Sequence, residues 1–101
     1  MAFAQKIDEA LHRSAGLPYL RLTRERSIHE RCAYALAAFE ALGLHRPAVL
    51  DVGCGSGILL RHLARYRGGV ASYTGIDRRA ERLGARYRDV RIPHRFLDVD
   101  L

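Results

Sequence analysis

The sequence predicts an α/β fold, a partial doubly wound parallel sheet preceded by two helices. Two observations predict it. An apolar strand pattern at 48–53 leads into a turn with glycine at every second position, and a helical pattern follows. Two further strand patterns, at 71–76 and 94–100, alternate with helical ones. Strands that alternate with helices through short links pair in parallel through right-handed crossovers.

Two helices are predicted ahead of the sheet. Apolar residues at helical spacing indicate the first over 3–13. The second begins at Ser27, which has capping-box spacing with Glu30. Gly43 suits the position after the helix end, and Pro47 prevents continuation.

The remaining elements follow in order. Helices are predicted at 57–67 and 78–88, each between two strands. We therefore divide the chain into an N-terminal helical segment at 1–46 and the first part of a sheet domain at 47–101. The first strand would form an exposed apolar edge, which favours self-association.

Composition excludes several classes of protein. Of 101 residues, 49% are hydrophobic, so a core is possible and general disorder is not expected. No apolar run approaches the roughly 20 residues that span a membrane, and the N-terminus lacks the pattern of a secretion signal. We expect a cytoplasmic protein that does not contact a membrane. Two cysteines and five histidines show no metal-ligand spacing, so no metal site is predicted.

The glycine turn carries the first chemical signal. Gly53, Gly55 and Gly57 have no Cβ, so they can adopt positive φ and let a ligand approach the main chain. Asp51 precedes them, where an anion would repel a pyrophosphate and favour a cationic amine. The spacing is not that of the dinucleotide fingerprint, and the lysine of a P-loop is missing. Cys54, within the turn, is interpreted as a small buried group.

Asp77 carries the second signal. It ends the second strand pattern, twenty residues after Gly57. Open α/β sheets bind ligands at the carboxyl ends of their strands, where an acid can hold a ribose diol. The alternative is an aspartate that merely caps the next helix.

The run Val-Leu-Asp-Val-Gly-Cys-Gly-Ser-Gly at 49–57 resembles the first motif of the class I S-adenosylmethionine-dependent methyltransferases. The resemblance implies a Rossmann-like sheet of seven strands, of which this chain supplies the order 3-2-1. It implies S-adenosylmethionine as cofactor, with the backbone of Gly53, Gly55 and Gly57, and the intervening Cys54, around its methionine part. Asp51 would orient the loop and the amino group.

The resemblance also assigns the nucleoside end. Asp77 would accept hydrogen bonds from both ribose hydroxyls. Arg78 stands where many members have an apolar residue against adenine, so either its guanidinium stacks on the ring or Ile76 supplies the contact.

A third strand end completes the implied site. Asp100 would accept from the adenine amino group, and the Leu101 amide would meet a ring nitrogen. Asp98 is the alternative to Asp100.

The function implied is methyl transfer from S-adenosylmethionine to an unidentified acceptor. Catalytic residues are not assigned, because the sulfonium already activates the methyl group and any base would lie beyond Leu101. We expect this chain alone to bind the cofactor weakly and to turn over little. One alternative is part of a nicotinamide-dependent oxidoreductase.

The other alternative is a non-catalytic module that binds RNA or a partner protein and keeps a vestigial cofactor site. The net charge of +6 makes an RNA partner possible. Arginine supplies 16 of the 17 basic residues, and no aromatic platform is interleaved with the arginines between 78 and 95. A solvated helix face is therefore favoured over an RNA-binding one.

Overall fold

The structure is a computed structural model that describes residues 26–101. The chain divides into two compact units, the first ending at Leu44 and the second running from His45 to Leu101. The helix predicted at 3–13 lies outside the described residues.

Helix α1, Arg26–Ala41, belongs to the first unit and confirms the second predicted helix. It ends in a Schellman motif, in which the Leu44 amide donates to the Phe39 carbonyl and the Gly43 amide donates to the Glu40 carbonyl. Gly43 has a φ of 64°, the left-handed conformation that this motif requires. The predicted helix end at Gly43 is therefore confirmed.

The second unit is built on a three-stranded parallel sheet. Its strands are β1 (Ala48–Val52), β2 (Ser72–Asp77) and β3 (His94–Asp98), in the order β1-β2-β3. This confirms the predicted α/β class and the order 3-2-1. Within the described residues β1 pairs only with β2, so its outer edge is free of a neighbouring strand.

The connection between β1 and β2 contains helix α2, Ile58–Leu63, which is shorter than the predicted 57–67. The chain leaves the α-helix because the amides of Arg65 and Tyr66 donate three residues back, to His62 and Leu63. Gly69, at a φ of 72°, then completes the turn towards β2.

The α-helix predicted at 78–88 is wrong in type and in start. The chain forms instead a 3-10 helix at Ala80–Tyr87, preceded by Arg79 in the left-handed conformation with a φ of 56°. Gly84 in its middle is a poor α-helix former. The seven arginines from this region are all exposed: Arg78, Arg79, Arg82, Arg86, Arg88, Arg91 and Arg95.

The two faces of the sheet differ. Both crossovers step in the same direction along the sheet, and right-handed crossovers then place α2 and the 3-10 helix on one face. The core lies there, and its largest fully buried side chains are Tyr73, Leu60, Leu63 and Leu83. On the other face of β1, Leu50 is 62% exposed and Val52 is 61% exposed.

Within residues 26–101, no helix is long and apolar enough to cross a membrane.

Candidate functional site

The glycine turn between β1 and α2 is fixed by main-chain hydrogen bonds. The amides of Gly53 and Cys54 both donate to the Ile76 carbonyl, at 2.8 and 3.0 Å, which ties the turn to β2. Gly53, Gly55 and Gly57 have φ of 72°, 56° and 78°. Positive φ at all three confirms the conformational reason given for glycine at these positions.

The three glycines differ in what surrounds them. A Cβ added to Gly53 or Gly55 would have no neighbour within 4 Å, so the main chain there is open. A Cβ added to Gly57 would lie 2.9 Å from the Phe96 ring and 3.1 Å from the Tyr87 ring. The first two glycines therefore leave room for a ligand, whereas Gly57 permits close packing of the helix start on the sheet.

Tyr87 is a residue that sequence reasoning missed as part of this site. It is 2% exposed, its hydroxyl donates to the Ser56 carbonyl at 2.7 Å, and its ring lies 5.5 Å from that of Phe96. This bond pins the glycine turn to the 3-10 helix. An apolar pattern indicates only that Tyr87 is buried, since the turn and Tyr87 lie thirty-one residues apart.

Asp77, at the end of β2, points at the glycine turn. Its Oδ2 accepts from the Gly55 amide at 2.8 Å, and its Oδ1 accepts from the Arg78 amide at 2.7 Å. These two hydrogen bonds, the Gly55 one foremost, lower the pKa of the carboxyl below its usual value. Each carboxylate oxygen can accept a further hydrogen bond, and the residue is partly exposed.

The alternative role for Asp77, a cap on the next helix, is filled by another residue. The Glu81 amide in the first turn of the 3-10 helix donates to Asp98 Oδ1 at 2.8 Å. Asp98, the alternative to Asp100 at the adenine position, thus caps this helix. The nearby Asp98 carboxylate also raises the pKa of Glu81.

Asp51, near the end of β1, is held differently. Its Oδ2 accepts from the Tyr73 hydroxyl at 2.7 Å. Burial raises the pKa of Asp51, the Tyr73 hydrogen bond opposes that change, and the charge of Asp77 adds to it. Among the described residues, Asp51 forms no ion pair with an arginine.

Arg78 and Asp100 pair with each other beside Asp77. The Arg78 Nε lies 3.1 Å from Asp100 Oδ1, and the two side chains are 73% and 90% exposed. Leu101 is also exposed. The structure thus brings Asp51, Gly53, Gly55 and Asp77 to one edge of the sheet.

Cys54 lies inside the turn as a buried thiol. Burial, and then the charges of Asp51 and Asp77, raise its pKa above the ordinary value. A raised pKa lowers the thiolate fraction of Cys54, which disfavours its use as a nucleophile. Within residues 26–101, no group of histidine, cysteine and acidic side chains is arranged to hold a metal ion.

The arrangement is an open main-chain turn with two carboxylates near it, those of Asp51 and Asp77. Exposed main chain at Gly53 and Gly55 can contact a ligand closely. Asp77 can accept from hydroxyl groups, and Asp51 can attract a cation.

Comparison with known proteins assigns the family. Residues 21–99 match a family described as a methyltransferase domain, which covers more than half of the chain. Neither the curated proteins nor the solved structures gave a match. With the fold and the glycine turn in agreement with this match, the chain belongs to a class I S-adenosylmethionine-dependent methyltransferase family.

Proposed function

We propose that this chain binds S-adenosylmethionine at the glycine turn as the cofactor of a methyltransferase whose acceptor is unidentified. The observation that carries the proposal is a pair of unlike carboxylates beside an open backbone. Asp51 is half-buried and has no arginine partner among the described residues, in a unit that contains eleven arginines. Such a carboxylate favours a cationic ligand.

The residues fit the cofactor in three respects. The main chain at Gly53 and Gly55 is free of side chains that would hinder the methionine part. Asp51 would attract the ammonium group of that part. Asp77 keeps acceptor capacity for a ribose diol while two backbone amides hold its orientation.

The residues that we propose contact the adenine of the cofactor are Arg78, Asp100 and Leu101. Arg78 and Asp100 orient one another through their ion pair. Arg78 directly follows β2, and Asp100 follows the neighbouring strand β3. Each of the two candidate adenine partners has one carboxylate oxygen engaged, Asp100 by Arg78 and Asp98 by the Glu81 amide, so Asp98 remains the alternative to Asp100.

When bound, the cofactor supplies an activated methyl group, and the protein's part is to align the acceptor with it. The described residues bind and orient the cofactor.

The Asp51 carboxylate also argues against the alternative function, a nicotinamide-dependent oxidoreductase. A pyrophosphate at the turn would approach the Asp51 and Asp77 carboxylates, and Coulomb repulsion would disfavour it. The proposal therefore predicts selectivity between two adenine-containing ligands that differ in charge.

The test is a titration followed by NMR through the amide resonances of Gly53 and Gly55, a method that detects weak binding. We expect S-adenosylhomocysteine to shift both resonances, and NADH at the same concentration to leave them unchanged. Asp77→Ala should weaken S-adenosylhomocysteine binding at least about tenfold, since hydrogen bonds to a carboxylate contribute about 1.5–3 kcal/mol.

The matched control is Asp89→Ala, which removes an exposed carboxylate that pairs with Arg61 away from the turn. It should bind as the wild type does. Binding of NADH in place of S-adenosylhomocysteine would overturn the proposal in favour of an oxidoreductase. Unchanged affinity in Asp77→Ala would remove the ribose assignment.

A further inference from the structure

The buried hydroxyl of Tyr73 contacts a residue of the candidate site, although the sequence did not predict Tyr73 as part of that site. Tyr73 is in β2 and is 1% exposed, and its hydroxyl donates to Asp51 Oδ2 on β1 at 2.7 Å. Burial, and then the hydrogen bond and charge of Asp51, raise the pKa of Tyr73 far above its ordinary value. The phenol therefore stays protonated at physiological pH and remains a donor to the carboxylate.

The hydrogen bond between Tyr73 and Asp51 depends on a glycine in the middle of β2. Asp51 is in register with Gly75, and Tyr73 precedes Gly75 by two residues, so all three lie on the same face of the sheet. A Cβ added to Gly75 would lie 2.8 Å from the Tyr73 hydroxyl oxygen. The missing side chain at Gly75 thus lets the phenol lie along the strand and reach Asp51.

The ring of Tyr73 is fixed by its neighbours as well. Phe96 of β3 meets it edge to face, with ring centroids 5.7 Å apart and planes at 65°. A Cβ at Gly75 would also lie 2.9 Å from the Phe96 ring, so the same gap accommodates both aromatic rings. A buried ring held on these sides gives the hydroxyl a single position.

We propose that Tyr73 is a positioning residue that fixes the Asp51 carboxylate for the ammonium group of the bound cofactor. The inference rests on the proposed function. With Oδ2 held by Tyr73, the carboxylate keeps one orientation, and its other oxygen, which accepts no hydrogen bond from residues 26–101, is left for a cationic ligand. Tyr73 acts through Asp51.

The experiment compares two nucleosides that differ at the amino-acid end. S-adenosylhomocysteine carries the ammonium group, and 5′-methylthioadenosine does not, although both contain the same ribose and adenine. We expect Tyr73→Phe to weaken S-adenosylhomocysteine binding roughly five- to twentyfold, less than the full effect of a hydrogen bond to a charged group, because Tyr73 acts on the ligand only through Asp51. The affinity for 5′-methylthioadenosine should be unchanged.

A double-mutant cycle with Asp51→Asn tests whether Tyr73 acts through Asp51. Asp51→Asn alone should weaken S-adenosylhomocysteine and leave 5′-methylthioadenosine unchanged. Adding Tyr73→Phe to it should have no further effect. Tyr34→Phe, which removes an exposed hydroxyl on α1, is the matched control and should bind both ligands as the wild type does.

The pH profile is a second readout. The titratable groups around Asp51 are Tyr73, Asp77 and the Cys54 thiol. Because the Tyr73 hydrogen bond lowers the pKa of Asp51, its removal should move the acid limb of S-adenosylhomocysteine binding to higher pH. A shift of this kind does not follow from a general loss of stability, which thermal melting of the same variant measures separately.

Three results would contradict the inference about Tyr73 or the proposed function. Wild-type affinity for S-adenosylhomocysteine in Tyr73→Phe would overturn the inference while the proposed function stands. An equal loss for both nucleosides in Tyr73→Phe would assign Tyr73 a purely structural role and also overturn it. A wild-type chain that binds neither nucleoside would overturn the proposed function, and the inference with it.

Discussion

The ends of β1 and β2 each carry one aspartate near the glycine turn, and the two are held in opposite ways. Asp51 is half-buried, and its hydrogen-bond donor is a tyrosine hydroxyl inside the core. Asp77 is partly exposed, and its donors are two backbone amides at the strand end. Burial raises the pKa of Asp51, whereas the amides lower that of Asp77.

The difference teaches how one sheet edge can present two kinds of acceptor. A carboxylate stabilised by backbone amides stays ionised and suits neutral hydroxyl groups. A half-buried carboxylate beside a neutral phenol is stabilised further when a cation approaches. The same residue type is thus suited to two parts of one ligand.

The largest expected effect on stability comes from a substitution that crowds the Tyr73 hydroxyl, the hydrogen-bond donor to Asp51. Gly75→Ala would place a methyl group 2.8 Å from the Tyr73 hydroxyl oxygen and 2.9 Å from the Phe96 ring. We expect a loss of about 1–3 kcal/mol in the free energy of unfolding, as overpacked cores show, measured by urea denaturation.

Gly84→Ala is the matched control for this change. Gly84 lies in the 3-10 helix, and a Cβ there would have no neighbour within 4 Å. Its stability should be unchanged or raised by up to about 1 kcal/mol, because alanine reduces the entropy of the unfolded chain. Equal destabilisation by both changes would mean that the gap at Gly75 has no special role.

A smaller effect, of opposite sign at the two aspartates, is expected in the pH dependence of stability. Because the folded pKa of Asp51 is raised, the free energy of unfolding should fall as pH rises from the ordinary value of 3.8 through the raised one. Asp51→Asn removes this cost, so it should stabilise the protein at neutral pH. We expect less than about 1 kcal/mol, since water screens the half-exposed group.

At Asp77 the pH dependence of stability should have the opposite sign. Its lowered folded pKa means that its contribution to stability is present above 3.8 and is lost as pH falls through the lowered value. Asp77→Asn should therefore be less stable than the wild type at neutral pH, with the difference shrinking in acid. Urea denaturation from pH 3 to 8 measures both variants, and slopes of the same sign would contradict the comparison.

The smallest effect is expected at Arg78. Its ion pair with Asp100 is largely exposed, and such pairs contribute little because water and salt screen them. Arg78→Ala keeps the amide that donates to Asp77. We expect a melting temperature within about 2 °C of the wild type, corresponding to less than about 0.5 kcal/mol. A larger drop would mean that the side chain, and not only the amide, supports the Asp77 end.

The sequence predicted the part of the site that local patterns encode. Alternating strands and helices indicated the parallel sheet and its order, and the glycine spacing indicated the three positive φ values. The exposed edge of β1 also agrees with prediction, and self-association through that edge stays a prediction. The cofactor roles of the site residues likewise remain to be tested.

Sequence patterns alone were less successful with helix type and length. The stretch before β3 satisfied an α-helical pattern, but Arg79 in the left-handed conformation and the Asp98 cap begin a 3-10 helix instead. The Asp98 cap comes from another strand, seventeen residues away along the chain. Local propensity carries no information about a partner that distant.

The sequence by itself determined the order of elements, the left-handed glycines and the acids at two strand ends, because each depends on residues close along the chain. Only the tertiary structure decided which donors hold those acids. Tyr73 lies twenty-two residues from Asp51, and Gly55 lies equally far from Asp77. The register of β1 against β2 brings the two sets together, and register is a property of the packed sheet.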